Sequence, residues 1–561
     1  MRFNLLAAGA ALALVACGTT APKAPEPPRG SITAQEVAGP PLSTAALAQH
    51  IRILSSDAFE GREPASRGEK LTTDYITAQF RAAGLQPGWN GSFLQPVPLV
   101  EASVQGEPAL TITGSDGAKT YSYRDQHVMW TKRPSAVVDV ANAPLVFVGY
   151  GVNAPELGWN DYAGVDMKGK IAVILVNDPD FETPAGHPTT GKFGGKAMTY
   201  YGRWTYKYEE AGRQGAVGAL IIHESAPAAY PWAVVQSSWT GPQFDLKRGP
   251  GADRAQVEGW IHTSTAADLF QRAGLNFAEL KAAAQRQGFR TRAMGLTGGV
   301  RLETDVKETI SHNVVAILPG AGARDEAVLY GAHWDHLGRC TPVDGDDICN
   351  GALDNATGTA GLIELARHHG AEGAARRSVV FVAFTAEEQG LLGSEFYAQN
   401  PAVPVHKTVA AVNMDGALIY GPTSDVIVVG YGKSELEDML VLAAQGQNRV
   451  VRGEAFPERG SFYRSDHFNL AKVGIPVLYA QGGQDLVNGG LERGRALGDD
   501  FIANRYHKPT DEYDPAWDLS GQKQDLELFY QVGRSVADGS QWPNWKPTAE
   551  FYSIRQRSLE R

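Results

Sequence analysis

Cysteine is nearly absent, with three residues in a chain of 561. So few thiols exclude a disulfide framework as the organiser of the fold, and two cysteines beside the N-terminal one cannot build a structural zinc site. Long apolar runs are missing too. Phe3 to Ala16 is a largely apolar stretch but too short to span a bilayer, and no other segment approaches that length. Positive charge is in deficit: 51 Lys and Arg against 62 Asp and Glu give a formal net charge of -11. That balance argues against nucleic acid or anionic lipid as the main partner. No G-x-S-x-G elbow follows a strand pattern, which removes the main support for a Ser–His–Asp hydrolase. What is present, 43% hydrophobic and 20% charged residues over this length, is the composition of a globular chain with two domains and a sizeable core.

The chain opens with a short basic start, Met1 and Arg2, before the apolar stretch. The stretch ends in "LVACG", which resembles the lipobox of bacterial lipoproteins and makes Cys17 the expected lipidation site. The segment "TTAPKAPEPPRGS" that follows is rich in proline and small residues, as a tether is. The expectation is an exported protein, lipid-anchored in the bacterial envelope on the periplasmic side of the outer membrane, touching membrane only through Cys17. Cys340 and Cys349 lie nine positions apart in "CTPVDGDDIC"; in an oxidising compartment a disulfide is expected, with two free thiols as the alternative.

Periodicity divides the remainder. Helical spacing runs from Leu71 to Leu85, with Gly84 as a stop. From Ala143 the texture becomes β-rich, in "PLVFVGYG", "KIAVILVND" and "AVGALIIHE", with helical patterns at "RWTYKYEEAGRQGA" and at Ala266 to Gln287. Later segments alternate: strands are expected at 327–332, 378–384, 408–414 and 475–480. The helices between them fall at 356–369, 389–397 and near 435–447. That alternation implies an α/β fold with a mostly parallel central sheet flanked by helices. The expected organisation is a signal at 1–17, a tether at 18–41, and a catalytic domain in two parts at 42–135 and 300–545. A β-rich insertion occupies 136–299, and a loosely packed polar tail 546–561.

The strand ends hold metal-ligand residue types. "HWDHLG" supplies His333, Asp335 and His336; "NGALDNATGTAG" supplies Asp354; "FTAEEQGLLGS" supplies Glu387 and Glu388; "NMDG" supplies Asp415; and "RYHKPTDEYD" supplies His507. Each motif alone is weak, since an HxD or an EE pair is usually a hydrogen bond or a solvated turn. Their joint occurrence at successive strand ends is informative, because in a parallel sheet those ends converge on one side. Imidazole with carboxylate suits zinc, with manganese or cobalt as alternatives.

In that order the motifs resemble the co-catalytic dizinc aminopeptidase family, which includes leucyl aminopeptidases, aminopeptidase Y and glutamate carboxypeptidase. The resemblance implies two zinc ions per chain, bridged by Asp354. His333 and Asp415 would complete one, Glu388 and His507 the other, and the Asp354–Asn355 peptide would be cis. Two dications about 3.5–4 Å apart need a shared anion, and the three carboxylates leave a site charge near +1, enough to acidify a bound water. Adjacent side chains in extended backbone point apart. Glu388 can therefore bind metal while Glu387, as general base, takes a proton from a zinc-bound water that attacks the first peptide bond. Asp335 would fix the His333 tautomer from behind, with an N-cap or solvated loop as its alternative. His336 carries no expected role beyond a surface histidine. "SFYRSDHFNLAKVGIPVL" also resembles the family; His467 or Tyr463 would donate to the developing oxyanion, with packing as the equal alternative.

The insertion resembles a protease-associated domain, which in related peptidases covers part of the cleft. Trp204, Tyr206, Tyr230 and Trp232 are either a substrate-facing wall or core. The expected function is an exported zinc aminopeptidase acting on peptides. A carboxypeptidase or dipeptidase on the same scaffold would need a cationic pocket such as Arg464 or Arg459. A single-zinc glutaminyl cyclase and a receptor-like binding protein without working metal sites are further alternatives, and an intact ligand set argues against both.

Overall fold

Two segments, 377–384 and 408–413, are buried at every position, the pattern of strands covered on both faces. They sit at the centre of the computed structural model, which describes residues 40–249 and 254–560. The expected signal, Cys17 and the tether up to residue 39 lie outside the described residues. Among the described residues no helix is long and apolar enough to cross a membrane.

Six strands build the main sheet: β1 (Leu94–Val104), β2 (Arg292–Leu318), β3 (Ala323–His333), β4 (Arg377–Phe384), β5 (Thr408–Asn413) and β6 (Val477–Gly482). Their spatial order is β1-β2-β4-β3-β5-β6. The β4-β3-β5-β6 core is parallel, and β2 and β1 close one side antiparallel. The chain leaves β3 to one side for β4 and returns to its other side for β5. A crevice opens where such connections diverge, at the carboxyl ends of the strands. Helices Thr44–Leu54, Arg67–Ala82, Thr357–Glu372 and Ser520–Asp538 cover one face, and Leu392–Gln399 and His467–Lys472 the other. A buried relay joins the first part of the chain to this core: His50 lies 2.7 Å from the Tyr75 hydroxyl and 3.0 Å from Glu364.

The strands expected from periodicity form within a few residues of their expected ends. The helix expected from Gln389 starts instead at Leu392, because Gln389 to Leu391 form a turn in which Gly390 and Leu391 donate to the Glu387 carbonyl. The pattern at 266–287 forms two helices, Thr263–Arg272 and Phe277–Ala284, separated at Gly274, whose φ of +65° stops the first.

Two expectations about boundaries are corrected. Strands Leu110–Gly114, Gly117–Tyr121 and His127–Trp130, placed by sequence in the first catalytic part, pair instead with the second lobe. That lobe is not only β-rich: it carries parallel pairs among Val137–Phe147, Ile171–Leu175, Gly218–His223 and Val257–His262, with helix Trp204–Arg213 against them. The long strand β2 serves both lobes, its first half pairing Val137–Phe147 and its second half β1 and β4. The segment 546–561, expected to be loosely packed, places Phe551 in the core at 0% exposure and forms a helix at Tyr552–Leu559. Two apolar anchors, Ala549 and Phe551, explain this, since burying one Phe stabilises by about 1.5–3 kcal/mol.

Candidate metal centre

His333 is the last residue of β3, Asp415 lies two residues past β5, and Glu387 and Glu388 lie just past β4. His507 and Asp354 come from loops that fold over the same sheet edge. Together they form one cluster. His333 Nε2 lies 3.4 Å from Asp354 Oδ1 and 3.3 Å from Asp415 Oδ1. On the other side, His507 Nε2 lies 3.3 Å from Asp354 Oδ2 and 3.2 Å from Glu388 Oε2. Asp354 thus turns one carboxylate oxygen to each group. Donors about 2.0–2.1 Å from a tetrahedral zinc stand roughly 3.3–3.4 Å from one another, so these separations fit the zinc ligand sphere.

The electrostatics agree with the donor chemistry. Burial alone would lower His333, yet the Glu387 and Asp415 carboxylates hold it well above the usual imidazole range. Burial also opposes His507, but Glu388 and Asp354 push it up to about 10. Burial raises Asp354, and hydrogen bonds from His333 and His507 more than offset this, leaving it well below the carboxylate range. The pocket therefore has a strong field for cations, and protons on the two imidazoles answer it. Dications meet the same demand with the same donor atoms.

The two adjacent glutamates differ. Glu388 is burdened by burial and by Asp354, but His507 and His336 bring it down to about 2. Glu387 is pushed well above the usual range, by burial first and then by Asp415 and Glu388, with His333 opposing. A paired carboxylate beside an unpaired one is the split that separates a ligand from a proton acceptor.

The local backbone explains how they diverge. Ala386 has φ +52°, a left-handed residue that breaks the extended run before Glu387. Gly393 then passes so close to β4 that a Cβ would stand 2.2 Å from the Thr385 carbonyl oxygen. Asp335 holds this turn: the backbone N–H groups of Glu387 and Glu388 donate to its two carboxylate oxygens at 3.1 and 3.3 Å. This corrects the expected contact. The Asp335 carboxylate is 3.9 Å from His333 Nδ1, and the Asp335 carbonyl, at 3.2 Å, is what faces that nitrogen. With its carboxyl pushed up to about 8 by burial, Asp335 orients the glutamate turn more than the imidazole.

His336 is corrected as well. It is fully buried rather than on the surface, and its Nδ1 lies 2.6 Å from Glu388 Oε1. It shares a candidate ion-holding group with Asp354 and Glu388. Nothing in the HWDH spacing itself marks His336 as buried; the carboxylate that closes over it comes from the Glu388 turn.

His467 and Tyr463 are not among the side chains that gather around Asp354. His467 is fully buried, with Phe462 at 4.6 Å and Tyr479 at 4.7 Å, and burial pulls it down to about 3. Tyr463 is 2% exposed and donates its hydroxyl to Glu550 at 2.5 Å, next to Lys433. Both pack against aromatic neighbours. Cys340 and Cys349 are joined in a disulfide on the hairpin beside the site, with a Cα–Cα distance of 6.0 Å.

Other positioning residues have no motif of their own. The Asp354–Asn355 peptide is cis. Asn355 Nδ2 donates to the Met414 carbonyl at 3.1 Å, and its Oδ1 accepts from Gly358 and Gly416 at 2.9 Å each, linking the Asp354 loop to the end of β5. Asp511, four residues after His507, accepts the backbone N–H groups of Leu353 and Asp354 at 3.0 and 3.1 Å. Arg62, from the distant first part of the chain, donates to the carbonyls of Trp334, Asn350 and Gly351.

Residues 313–530 match the model of Peptidase family M28. A probable zinc metalloprotease of Pyrenophora teres f. teres is 38% identical over 102 residues, 18% of this chain and 22% of that protein. The probable lipoprotein aminopeptidase LpqL of Mycobacterium tuberculosis is 27% identical over 247 residues, 40% of this chain and 46% of the relative. The chain thus spans less than half the length of either relative. Among solved structures, the aminopeptidase from Aneurinibacillus sp. strain AM-1 aligns over 88% of this chain and 94% of that one, with 20% identity and a TM-score of 0.47.

Proposed function

We propose that this chain is a Peptidase family M28 member and a zinc-dependent aminopeptidase that removes the first residue of short peptides. The observation that carries the reading is the Asp354 carboxylate, which faces His333 with one oxygen and His507 with the other. On this reading His333, Asp354 and Asp415 hold one ion, and Asp354, Glu388 and His507 the other. When bound, the pair would supply Lewis acidity that makes water nucleophilic at neutral pH and polarises the scissile carbonyl.

The remaining work belongs to the chain. Glu387 accepts the proton of the attacking water at its free carboxylate and returns it to the leaving amine. Its raised affinity for protons brings it nearer the working pH, where an acid–base group is most effective. Asp335 fixes where that carboxylate sits by gripping both backbone N–H groups of the turn. His336 holds the outer oxygen of Glu388, and Asp511 and Asn355 hold the loop that presents Asp354. Such outer partners typically matter by about 10–100-fold in metal affinity or activity.

Titration tests this directly. Chelator-treated protein should lose hydrolysis of an unmodified dipeptide, and added zinc should restore it with saturation at about two equivalents per chain. Activity that survives exhaustive chelation would remove the metallopeptidase reading, and full recovery at one equivalent would remove the second ion.

A further inference from the structure

Three of the large apolar side chains left exposed fall in one stretch: Val487 at 69% exposure, Leu491 at 41% and Ile502 at 62%. The last two belong to helix Gly490–Asn504, and Val487 lies just before it. Of the helix's 15 residues only Phe501 is buried. Its inner face is Gly490, Gly494, Leu497 and Phe501, at helical spacing. A Cβ on Gly494 would meet the Gln484 carbonyl oxygen, so the helix touches its own chain largely through glycine. Gly490, Gly494 and Gly498 also weaken it intrinsically. Most helices are stabilised by packing an apolar face, and this inner face supplies little.

The outer face carries a different pattern. Leu491, Arg495, Asp499 and Ile502 fall at i, i+4, i+8 and i+11, so they form one stripe, and all four are exposed. Among the described residues neither Arg495 nor Asp499 has an ion-pair partner. Arg495 precedes Asp499, the order that the helix's own dipole favours less. The stability of the helix alone therefore does not account for the arrangement.

A second copy does. Run antiparallel to itself about a two-fold axis beside Leu497, the stripe is self-complementary. Arg495 then faces the partner's Asp499, and Leu491 lies beside the partner's Ile502. Such an isologous contact, the same patch on both subunits, is the commonest geometry of homodimers. A lipid surface fits worse, because the helix holds three acids against two arginines in a chain of net charge -11.

We propose that helix Gly490–Asn504 is the interface of a homodimer, pairing antiparallel with the same helix of a second copy through Leu491, Arg495, Asp499 and Ile502. The inference goes beyond the peptidase reading and does not depend on it. The helix hands the chain to Tyr506 and His507, whose rings stack at 3.9 Å, so the dimer face adjoins the candidate metal centre. Fifteen residues make a helix about 22 Å long, which places the contact at the small end of stable interfaces.

Sedimentation velocity of the zinc-loaded full chain, from about 1 to 100 µM, tests this. The wild type should show a monomer–dimer equilibrium with a Kd of about 1–10 µM. Arg495→Glu or Asp499→Arg alone should raise that Kd by about 10-fold or more, since each sets like charges face to face. The double reversal, Arg495→Glu with Asp499→Arg, should return it to within about threefold of the wild type, a rescue that damage to the fold would not give. Ile502→Asp should leave only monomer. A wild type that stays monomeric at 100 µM would overturn the proposal, as would a dimer indifferent to the single reversals. Flotation with phosphatidylcholine–phosphatidylglycerol vesicles that Ile502→Asp abolishes, without self-association, would overturn it in favour of a lipid-facing helix.

Discussion

Glu387→Gln is expected to keep both ions and lose about 10²–10⁴-fold in kcat, the range of a general acid–base contribution. The substitution is nearly isosteric and leaves the residue 387 N–H free to donate to Asp335, so the turn that carries Glu388 keeps its shape. Glu387 is not among the donors that converge on Asp354; those are His333, Asp415, Glu388 and His507. What glutamine removes is an oxygen able to take a proton. Elemental analysis should therefore return the wild-type zinc content, and KM should change little while kcat falls. Turnover near the wild-type level would show that the proton goes elsewhere, with Asp466, buried near His333, the next group to examine.

Asp354→Ala should have the larger effect, because it removes one oxygen from each half of the centre. His333 loses its neighbour at 3.4 Å and His507 its neighbour at 3.3 Å. Without a shared anion, two dications at close range repel, so occupancy should fall from two ions toward one or none. Activity should drop on the order of 10⁴-fold or more, since the ions supply much of an acceleration that exceeds about 10⁶ in typical enzymes. The fold should survive: Asp354 lies at the rim of the sheet, and Asn355 and Asp511 still hold its loop through backbone groups. Near-UV circular dichroism together with zinc analysis separates the two effects. An Asp354→Ala protein that kept two zinc ions would contradict the bridging role.

Much of this arrangement was legible in the sequence, for physical reasons. β4 and β5 read as strands because they carry unbroken apolar runs, Val379–Phe384 and Val409–Val412, that suit burial on both faces, and ligand-type residues at their carboxyl ends then had to meet. The pairing of Glu387 and Glu388 with different partners followed from their adjacency. Other features had no local signal. Arg62 reaches the Asp354 loop from almost 300 residues away, and sequence spacing cannot reveal a contact of that range. His336 looked like an exposed loop residue because polar HWDH spacing gives no sign that a carboxylate, Glu388, would close over it. The lobe boundary moved because β2 is one strand shared by two sheets, so a change of texture at Ala143 marked a change in composition and not in pairing. Tyr463 and His467 sat in a motif near the cleft, but Glu550 from the chain's end captured the first and aromatic packing the second. Proximity in a motif is not access to substrate.

The central claim is a metal-dependent attack on peptides with a free amino terminus. The measurement that tests it most directly is hydrolysis of one dipeptide with a free and with an acetylated amino terminus, before chelation, after it, and after zinc is returned. The account predicts cleavage of the free form only, lost with the metal and regained with it. Cleavage of the acetylated form at a comparable rate, or cleavage indifferent to chelator, would contradict it.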